Sequence, residues 1–337
     1  MILVTGGCGF IGSHAVVELI ENGDEVLVLD NLSNSSVLVL DRIERITNSK
    51  CLFVEGDICD FDLLLSIFRI YPIDSVMHFA GLKSVAESAE RPLNYYSTNL
   101  CGTITLCKAM LASNIYKLIF SSSATVYGSS NVSPMKEYYQ IGETTNPYGT
   151  TKYMVERFLD ELCNSVPQFS VCILRYFNPI GAHSSGLIGE SPSDAPNNLI
   201  PYLLKVGDGT LPSLKVFGGD YETKDGTGVR DYIHVVDLVL GHLKAKQYLE
   251  SNFGCHVFNL GTGNGYSVLQ IIEKMSEVIG RKIEFDIVDR RSGDIPVCYA
   301  DPSRALEELK WSASRELLQM LTDSWRWQLS NPKGYQD

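Results

Sequence analysis

Tyr148 and Lys152 are the two side chains in this sequence best placed for proton transfer. They stand four residues apart in Asn-Pro-Tyr-Gly-Thr-Thr-Lys, a spacing that puts a phenol and an ammonium group on one face of a helix. A phenol has an ordinary pKa of about 10 and is a poor base at neutral pH. A nearby positive charge favours the phenolate, so Lys152 could make Tyr148 a general base. A surface pair without function has the same spacing, and the motif alone leaves both interpretations open.

A run of hydroxyl side chains follows the apolar segment 116–121. It reads Ser121-Ser-Ser-Ala-Thr-Val-Tyr-Gly128. If the apolar segment is a buried strand, these hydroxyls emerge at its end, where one of them could bond a substrate oxygen and relay its proton to Tyr148. A polar cap on the strand is the alternative.

The first twelve residues could hold a pyrophosphate group. A short apolar segment, Ile2 to Val4, leads into glycines at positions 6, 9 and 12, and an amphipathic segment follows. Glycines permit a tight turn, a close approach of backbone to phosphate, and close packing of helix on strand. The free N–H groups and the dipole of the helix would then face the phosphates. A turn of purely structural value is the alternative.

Asp30 supports the dinucleotide interpretation. It ends the apolar segment 25–29, 18 residues after Gly12, about where such a fold places the carboxylate that binds the adenosine ribose. Asn31 and Leu32 follow it, with no Arg or Lys nearby to accept a 2′-phosphate. The sequence therefore predicts NAD rather than NADP.

The first half of the chain alternates predicted strands and helices. Strands are predicted at 2–5, 25–29, 51–54, 74–79, 116–121 and 171–176, and helices at 11–22, 37–47, 60–70, 92–113 and 148–163. Unbroken apolar strands between helices are typical of a parallel sheet covered on both faces. We predict an α/β fold with a doubly wound parallel (Rossmann) sheet and a smaller mixed α/β substrate domain. Ligands bind such sheets at the carboxyl ends of the strands.

Proline and glycine become frequent after about Asn178. We predict an NAD-binding domain at 1–178 and a substrate domain at 179–337, and leave open whether 232–260 returns to the first sheet. Helices of the second domain are predicted near 198–207, 235–250, 267–279, 302–309 and 315–329. Gly261-Thr-Gly263-Asn-Gly265 resembles a second phosphate loop, but no ribose carboxylate follows it at the required distance. We favour a loop that ends in a capping box of Ser267 and Gln270.

Composition limits the possible functions. The 337 residues have a net charge of −12, which argues against nucleic acid or anionic membranes as partners. No signal segment opens the sequence and no apolar run suits a membrane span. The nine cysteines contain no CxxC pair, which favours reduced thiols in a cytoplasmic protein. The histidines form no HxH or HExxH pattern, and no metal site is predicted.

Together these motifs resemble the UDP-galactose 4-epimerases of the extended short-chain dehydrogenase/reductase superfamily. The matching segments are Thr5-Gly-Gly-Cys-Gly-Phe-Ile-Gly-Ser-His14, Asp30-Asn31, Gly56-Asp57-Ile58, His78-Phe-Ala-Gly-Leu-Lys83, Ser121-Ser-Ser-Ala-Thr-Val-Tyr-Gly128, Tyr148-Gly-Thr-Thr-Lys152, Leu174-Arg-Tyr-Phe-Asn178, Val229-Arg-Asp-Tyr-Ile-His234 and Arg291-Ser-Gly-Asp294. The resemblance covers essentially the whole chain. It implies that Tyr148, helped by Ser123, takes the proton of the sugar 4′-hydroxyl, that Lys152 tunes Tyr148, and that the enzyme is a homodimer.

The resemblance also implies a set of binding residues. Those for NAD are Gly6, Gly9, Phe10, Ile11, Gly12, Asp30, Asn31, Asp57, Ile58, Phe79, Ala80, Gly81, Lys83, Asn99, Ser121, Tyr148, Lys152 and Tyr176. Those for the UDP-sugar are Lys83, Ser123, Thr125, Tyr148, Phe177, Asn178, Asn198, Leu199, Val216, Phe217, Arg230, Tyr232, Arg291, Asp294 and Cys298. Guanidinium groups such as those of Arg230 and Arg291 match the geometry of phosphate oxygens.

Two positions separate this sequence from relatives of other specificity. Relatives that dehydrate nucleotide sugars have an Asp-Glu pair where this chain has Ala124-Thr125, which argues against dehydration. Epimerases restricted to UDP-glucose and UDP-galactose can have tyrosine at the position of Cys298, so we expect the larger N-acetylated sugars to fit unless the cavity closes by other means. A UDP-glucuronate 4-epimerase and a non-catalytic NAD-binding scaffold remain the alternatives.

Overall fold

The first half of the chain forms one parallel sheet. The computed structural model describes residues 1–191, 198–291 and 293–335, so Ser292 of the predicted Arg291–Asp294 motif lies outside the described residues. The strands are β1 (Ile2–Thr5), β2 (Val26–Asp30), β3 (Leu52–Glu55), β4 (Ser75–His78), β5 (Lys117–Ser123) and β6 (Ser170–Tyr176). A later strand, β10 (Cys255–Leu260), joins them, and the order across the sheet is β10-β6-β5-β4-β1-β2-β3.

Helices cover both faces of this sheet. They are α1 (Phe10–Glu21), α2 (Leu38–Thr47), α3 (Phe61–Ile70), α4 (Val85–Glu90), α5 (Pro92–Tyr95), α6 (Gly102–Ala112) and α7 (Pro147–Ser165). Strands β1, β2, β4 and β6 are buried along their whole length because each face packs on a separate apolar cluster. The predicted doubly wound α/β architecture is confirmed, and the predicted strands differ from the observed ones by one or two residues at their ends.

The predicted helix at 92–113 is interrupted. A π-helical segment, Tyr96–Cys101, separates α5 from α6. Such wide turns are uncommon and occur mostly at functional sites. Periodicity did not reveal it, because the apolar spacing before and after the wide turn is still helical.

The sheet has its topological switch point beside β1. Strand β1 pairs with β2 on one side and with β4 on the other. The chain first builds the sheet from β1 through β2 to β3, and then crosses back to add β4 on the opposite side of β1. A crevice opens at the carboxyl ends of strands at such a point. The glycine turn, Asp30 and His78 are therefore brought to one edge.

The remaining elements form a second, smaller lobe. Its strands are β7 (Asn178–Ile180), β8 (Leu214–Phe217), β9 (Val229–His234), β11 (Gly265–Ser267), β12 (Phe285–Val288) and β13 (Val297–Cys298). Its helices are α8 (Leu199–Gly207), α9 (Val235–Tyr248), α10 (Val268–Ile279), α11 (Ser303–Leu309) and α12 (Leu317–Ser330). Strand β9 lies between β11 and β13 and also pairs with β7, while β8 and β12 form a separate two-stranded sheet. The described helices include none long and apolar enough to cross a membrane.

The range 232–260 is divided between the two lobes. Strand β9 belongs to the smaller sheet, whereas α9 packs against α1 and β10 pairs with β6 at the edge of the large sheet. The lobes are thus interleaved in sequence, and a single boundary at 178 stays a prediction.

The second glycine-rich loop has a structural use. The amides of Thr262 and Gly263 donate to the buried carboxylate of Asp231 at 2.9 to 3.1 Å. Ser267 and Gln270 form the predicted capping box at the start of α10. Those amides are therefore already engaged within the protein.

Candidate active site

A cavity of about 820 Å³ lies between the carboxyl edge of the large sheet and the second lobe. It is lined by the glycine turn, the ends of β2, β4 and β5, the start of α7, and by β8 and the loops of the second lobe. Of the described residues predicted for the site, only Asn99 and Cys298 lie outside this lining. The fold therefore brings almost the whole predicted set together.

The glycine turn has the geometry that a phosphate cradle needs. Gly6 has φ +70°, and a Cβ atom there would lie 2.6 Å from the amide nitrogen of Ala80. A Cβ on Gly12 would lie 2.1 Å from the carbonyl oxygen of Gly6. Gly9 precedes α1 without any side-chain cap, so free N–H groups of the first turn face the cavity. These features fit the diphosphate of NAD.

Asp30 holds the glycine turn as well as facing the cavity. Its Oδ2 accepts from the amide of Cys8 at 2.9 Å, and its Oδ1 accepts from the amide of Leu32 and the hydroxyl of Ser35. The carboxylate is thereby fixed at the end of β2, where it could also accept from ribose hydroxyls. Sequence spacing predicted the ribose contact but not the bond to Cys8.

Asp57 and Asn31 form the adjacent part of the adenosine end. The side-chain amide of Asn31 donates to Oδ2 of Asp57 at 2.8 Å, and the backbone amide of Cys59 donates to Oδ1. Burial raises the pKa of Asp57, but these hydrogen bonds outweigh it and the net shift is downward. Asp57 therefore stays an acceptor.

Helix α7 presents Tyr148 and Lys152 to the cavity. Asn146 caps its first turn by accepting from the amide of Gly149 at 2.9 Å, and Pro147 follows at the first helical position. Lys152 is 6% exposed, and its Nζ donates to the carbonyl of Ser121 at 2.7 Å. Burial lowers its pKa to about 8, and the negative charge of Glu156 opposes that shift. Lys152 is thus held as a cation at neutral pH.

Ser123 lies beside Tyr148 at the end of β5. Its hydroxyl accepts from the amide and the hydroxyl of Thr125, at 3.3 and 3.0 Å. Burial raises the pKa of Tyr148, and the hydrogen bond with Ser123 lowers it. Since the net direction is upward, the protein alone leaves the phenol protonated, and a cation close to its oxygen is needed for it to act as a base.

A buried ion pair connects the helix and the strands that carry Tyr148, Lys152 and Ser123. Arg175 on β6 pairs with Glu156 on α7 at 2.7 Å, and both side chains are buried. Glu156 also accepts from Ser122. The bonds tie α7 to β5 and β6, so Tyr148, Lys152 and Ser123 keep their relative positions.

Asn99 lies one layer behind the cavity wall. It belongs to the π-helical segment, and its side-chain amide exchanges hydrogen bonds with the backbone of Leu82 at 2.8 and 3.0 Å. A third bond reaches Thr151 on α7. Asn99 therefore positions the loop that contains Lys83, and its predicted contact with NAD stays a prediction.

Residues that no sequence motif indicated also line the cavity, among them Gly189, Glu190 and Tyr335. Glu190 pairs with Lys83 at 2.7 Å across the two lobes. Tyr335 exchanges hydrogen bonds with the backbone of Gly189, and the indole of Trp327 donates to the carbonyl of Glu190. These contacts connect positions far apart in the chain, which no local pattern could reveal.

The opposite end of the cavity is rich in arginine. The guanidinium of Arg291 lies 3.9 Å from the ring centroid of Phe217, and that of Arg230 lies 4.0 Å from Asp294. The wall there also includes the predicted residues Phe177, Asn178, Asn198, Leu199, Val216 and Tyr232. An aromatic ring, two guanidinium groups and a carboxylate suit the base, phosphates and ribose of a nucleotide.

Cys298 does not touch the cavity directly. It is 9% exposed and packs in an apolar cluster with Val126, Phe177 and Ala300. Phe177 both belongs to this cluster and lines the cavity. Cys298 thus lies outside the lining of the cavity in this structure, and its predicted contact with the sugar stays a prediction.

Comparison with known proteins gives consistent results. Residues 2–261 match the NAD dependent epimerase/dehydratase family. A UDP-glucose 4-epimerase of Pasteurella multocida (strain Pm70) is 55% identical over 336 residues, covering 100% of this chain and 99% of the relative. The structure of UDP-glucose 4-epimerase from Bifidobacterium longum in complex with NAD+ and UDP superposes with a TM-score of 0.96 at 47% identity, covering 99% of both chains. The UDP-Glc/GlcNAc 4-epimerase of Campylobacter jejuni has a TM-score of 0.85 at 35% identity, covering 98% of this chain and 99% of the other.

Proposed function

The chain belongs to the NAD-dependent epimerase/dehydratase family, among the UDP-glucose 4-epimerases, and we propose that it interconverts UDP-glucose and UDP-galactose by inverting C4 of the hexose. The observation that carries this proposal is the single cavity that joins three parts. The glycine turn and Asp30 lie at one end, Arg230 and Arg291 at the other, and Tyr148 between them. Such an arrangement places a nucleotide-linked sugar beside a dinucleotide.

The glycine turn, Asp30 and Lys152 would hold NAD, which when bound would supply a reversible hydride acceptor for C4 of the sugar. Tyr148 takes the proton of the C4 hydroxyl as the C4 hydride departs, which leaves a 4-keto sugar. Ser123 holds the same oxygen, and Lys152 stabilises the phenolate. Arg230 and Arg291 retain the diphosphate while the keto sugar turns over. Tyr148 then returns its proton to the C4 oxygen. The bound cofactor would give back the hydride that it accepted, so the reaction would be redox-neutral overall.

Because the overall reaction is redox-neutral, we predict that NAD stays bound to the protein between turnovers. After exhaustive dialysis, the purified protein should contain NAD and should convert UDP-galactose without added NAD, because no net electron transfer requires the cofactor to leave. The measurement is nucleotide analysis of the denatured protein beside turnover of UDP-galactose, UDP-GalNAc and UDP-galacturonate. Full activity in protein free of NAD would contradict the proposal. Turnover of UDP-galacturonate alone would favour a UDP-glucuronate 4-epimerase, and no turnover at all would favour a scaffold.

Ser123 should set the acid limb of the pH profile. Its hydrogen bond lowers the pKa of Tyr148, so Ser123→Ala should raise that pKa. The active phenolate is lost as the pH falls through the pKa of Tyr148, and the acid limb of kcat should therefore move to higher pH. We also expect kcat at neutral pH to fall by about 10- to 100-fold. Ser123→Thr keeps a hydroxyl and should restore much of the activity, whereas an unmoved acid limb in Ser123→Ala would refute the role.

We also infer that UDP-GlcNAc and UDP-GalNAc are substrates. The support is the small side chain of Cys298 behind Phe177, together with the similarity to a UDP-Glc/GlcNAc epimerase. Ala124 and Thr125 provide no carboxylate, and Thr125 instead donates to Ser123. Dehydration therefore lacks the acid and base that it needs.

Two finer points belong to the same proposal. We infer a cytoplasmic enzyme, because the nine cysteines are free thiols, which suits a reducing compartment. We infer a homodimer from the family resemblance. Light scattering on a size-exclusion column should give twice the mass of one chain, and the mass of a monomer would contradict it.

A further inference from the structure

Tyr221 is a buried tyrosine at the nucleotide end of the cavity. It follows β8 and belongs to the cavity lining, yet it is only 7% exposed. Among the described residues, just two buried side-chain polar atoms lack a hydrogen-bond partner, and the hydroxyl of Tyr221 is one of them. Buried polar groups are normally paired. The fold by itself therefore gives no reason for this hydroxyl.

Other buried tyrosines of this chain have partners. The hydroxyl of Tyr127 donates to Asn259 at 2.6 Å, and that of Tyr95 donates to Glu87 at 3.0 Å. Tyr335 is paired with the backbone of Gly189. Among the described residues, Tyr221 is the one tyrosine whose hydroxyl is fully buried without a hydrogen-bond partner.

The ring of Tyr221 is fixed in place. Its amide donates to the carbonyl of Gly226 at 2.9 Å. On one side the guanidinium of Arg290 lies 4.2 Å from the ring centroid. A Cβ atom on Gly218 would lie 2.4 Å from the ring. A ring held this closely cannot swing away to bring its hydroxyl to solvent.

The charged groups that act on Tyr221 include two of those predicted to hold the nucleotide, Arg230 and Asp294. Burial and the charge of Asp294 raise the pKa of the phenol, while Arg290 and Arg230 lower it. Tyr221, Arg230 and Asp294 all belong to the lining of the same cavity. The 4.0 Å separation of Arg230 and Asp294 is too long for a hydrogen bond, so this pair is free to separate around a ligand.

We propose that Tyr221 is a further nucleotide-binding residue, whose hydroxyl donates to an oxygen of the ribose-diphosphate part of UDP. This inference rests on the proposed function, since it needs a nucleotide in the cavity. Phosphate and ribose oxygens are the acceptors that this end attracts, because Arg230 and Arg291 select an anion. On binding, Arg230 turns towards the diphosphate and away from Asp294. The UDP oxygen that accepts from the Tyr221 hydroxyl then occupies the space beside Asp294.

The variant Tyr221→Phe tests this contact, because it keeps the ring and the stacking of Arg290 and removes only the hydroxyl. Titration calorimetry with UDP should show about tenfold weaker binding, which corresponds to ~1.4 kcal/mol. The midpoint of thermal unfolding without UDP should stay the same or rise, because the variant buries one unpaired polar group fewer. A merely structural role would move the two measurements together, both downward.

Tyr248→Phe is the matched control. The hydroxyl of Tyr248 donates to Glu308 at 2.8 Å and lies away from the cavity lining. This variant should lose some thermal stability and bind UDP normally. Equal UDP affinity in Tyr221→Phe and the unmodified protein would overturn the inference, as would a loss of affinity that accompanies a lower unfolding midpoint. Failure of the unmodified protein to bind UDP would overturn the proposed function itself.

Discussion

Replacing Tyr148 with phenylalanine should lower kcat by about a thousandfold, which is within the usual contribution of a positioned acid–base group. The Kd for UDP should stay within about twofold, because the residues that we propose to hold the diphosphate, Arg230 and Arg291, line the other end of the cavity. The phenol oxygen is the only atom that the change removes. Stopped assays with UDP-galactose and calorimetry with UDP measure the two effects.

The two polar neighbours of Tyr148 should stay in place in the Tyr148→Phe variant. Lys152 lies one helical turn from Tyr148 and is anchored on the carbonyl of Ser121, so its charge remains in place in the variant. Ser123 also remains, with Thr125 still donating to its hydroxyl. Neither group replaces the lost base, because a serine hydroxyl and a protonated lysine cannot accept a proton at neutral pH.

Tyr153→Phe provides the control for Tyr148→Phe. Tyr153 lies on the same helix but outside the cavity lining, where its ring packs beside Gly142. Its variant should keep full activity. Activity of Tyr148→Phe close to that of the unmodified protein would refute the assigned base, and loss of UDP binding would show that Tyr148 has a structural role instead.

The parts of the site that the sequence predicted well are local in the chain. The spacing of Tyr148 and Lys152 is fixed by one turn of α7. The glycine turn needs only the few residues between β1 and α1, and clashes at Gly6 and Gly12 explain why other residues are excluded. Asp30 follows at a fixed distance because a helix and a strand of ordinary length separate it from that turn.

The parts that it did not predict depend on distant contacts. Glu190 reaches Lys83, and Tyr335 reaches Gly189, only after the second lobe has packed on the first. No periodicity encodes such pairs. The π-helical turn around Asn99 was missed as well, because the apolar spacing on both sides of it is helical; Asn99 bonds there to Leu82, 17 residues away in the chain.

Cys298 shows the limit of transferring a single position from related sequences. The resemblance suggested a residue in the sugar pocket, whereas the side chain is buried behind Phe177. Its size can still control the pocket, because an apolar cluster is densely packed and passes on a change of volume to its neighbours. A larger residue at position 298 would then narrow the pocket by displacing Phe177.

Cys298→Tyr should therefore remove activity on UDP-GalNAc while sparing most activity on UDP-galactose. Cys298 is buried in a cluster with Val126, Phe177 and Ala300. Because buried clusters are densely packed, we expect the added volume to press Phe177 or the new ring into the cavity. An acetamido group at C2 needs that space and a hydroxyl does not. We expect kcat/KM for UDP-GalNAc to fall about 100-fold relative to UDP-galactose. The free energy of unfolding should fall by about 1–3 kcal/mol, which is the usual cost of overpacking a core.

The ratio of the two kcat/KM values is the decisive quantity, because any partial unfolding of the variant lowers both alike. Cys298→Ala keeps the site small and should leave that ratio nearly unchanged, although it removes the thiol. If both variants preserve the ratio of the two kcat/KM values, the cavity tolerates a tyrosine ring at position 298. Other residues then determine the specificity for N-acetylated sugars. If the protein before substitution does not convert UDP-GalNAc, the small residue behind Phe177 is not sufficient to admit N-acetylated sugars. A selective loss in Cys298→Tyr alone would establish that the size of the buried residue at position 298 sets the size of the sugar that the cavity admits.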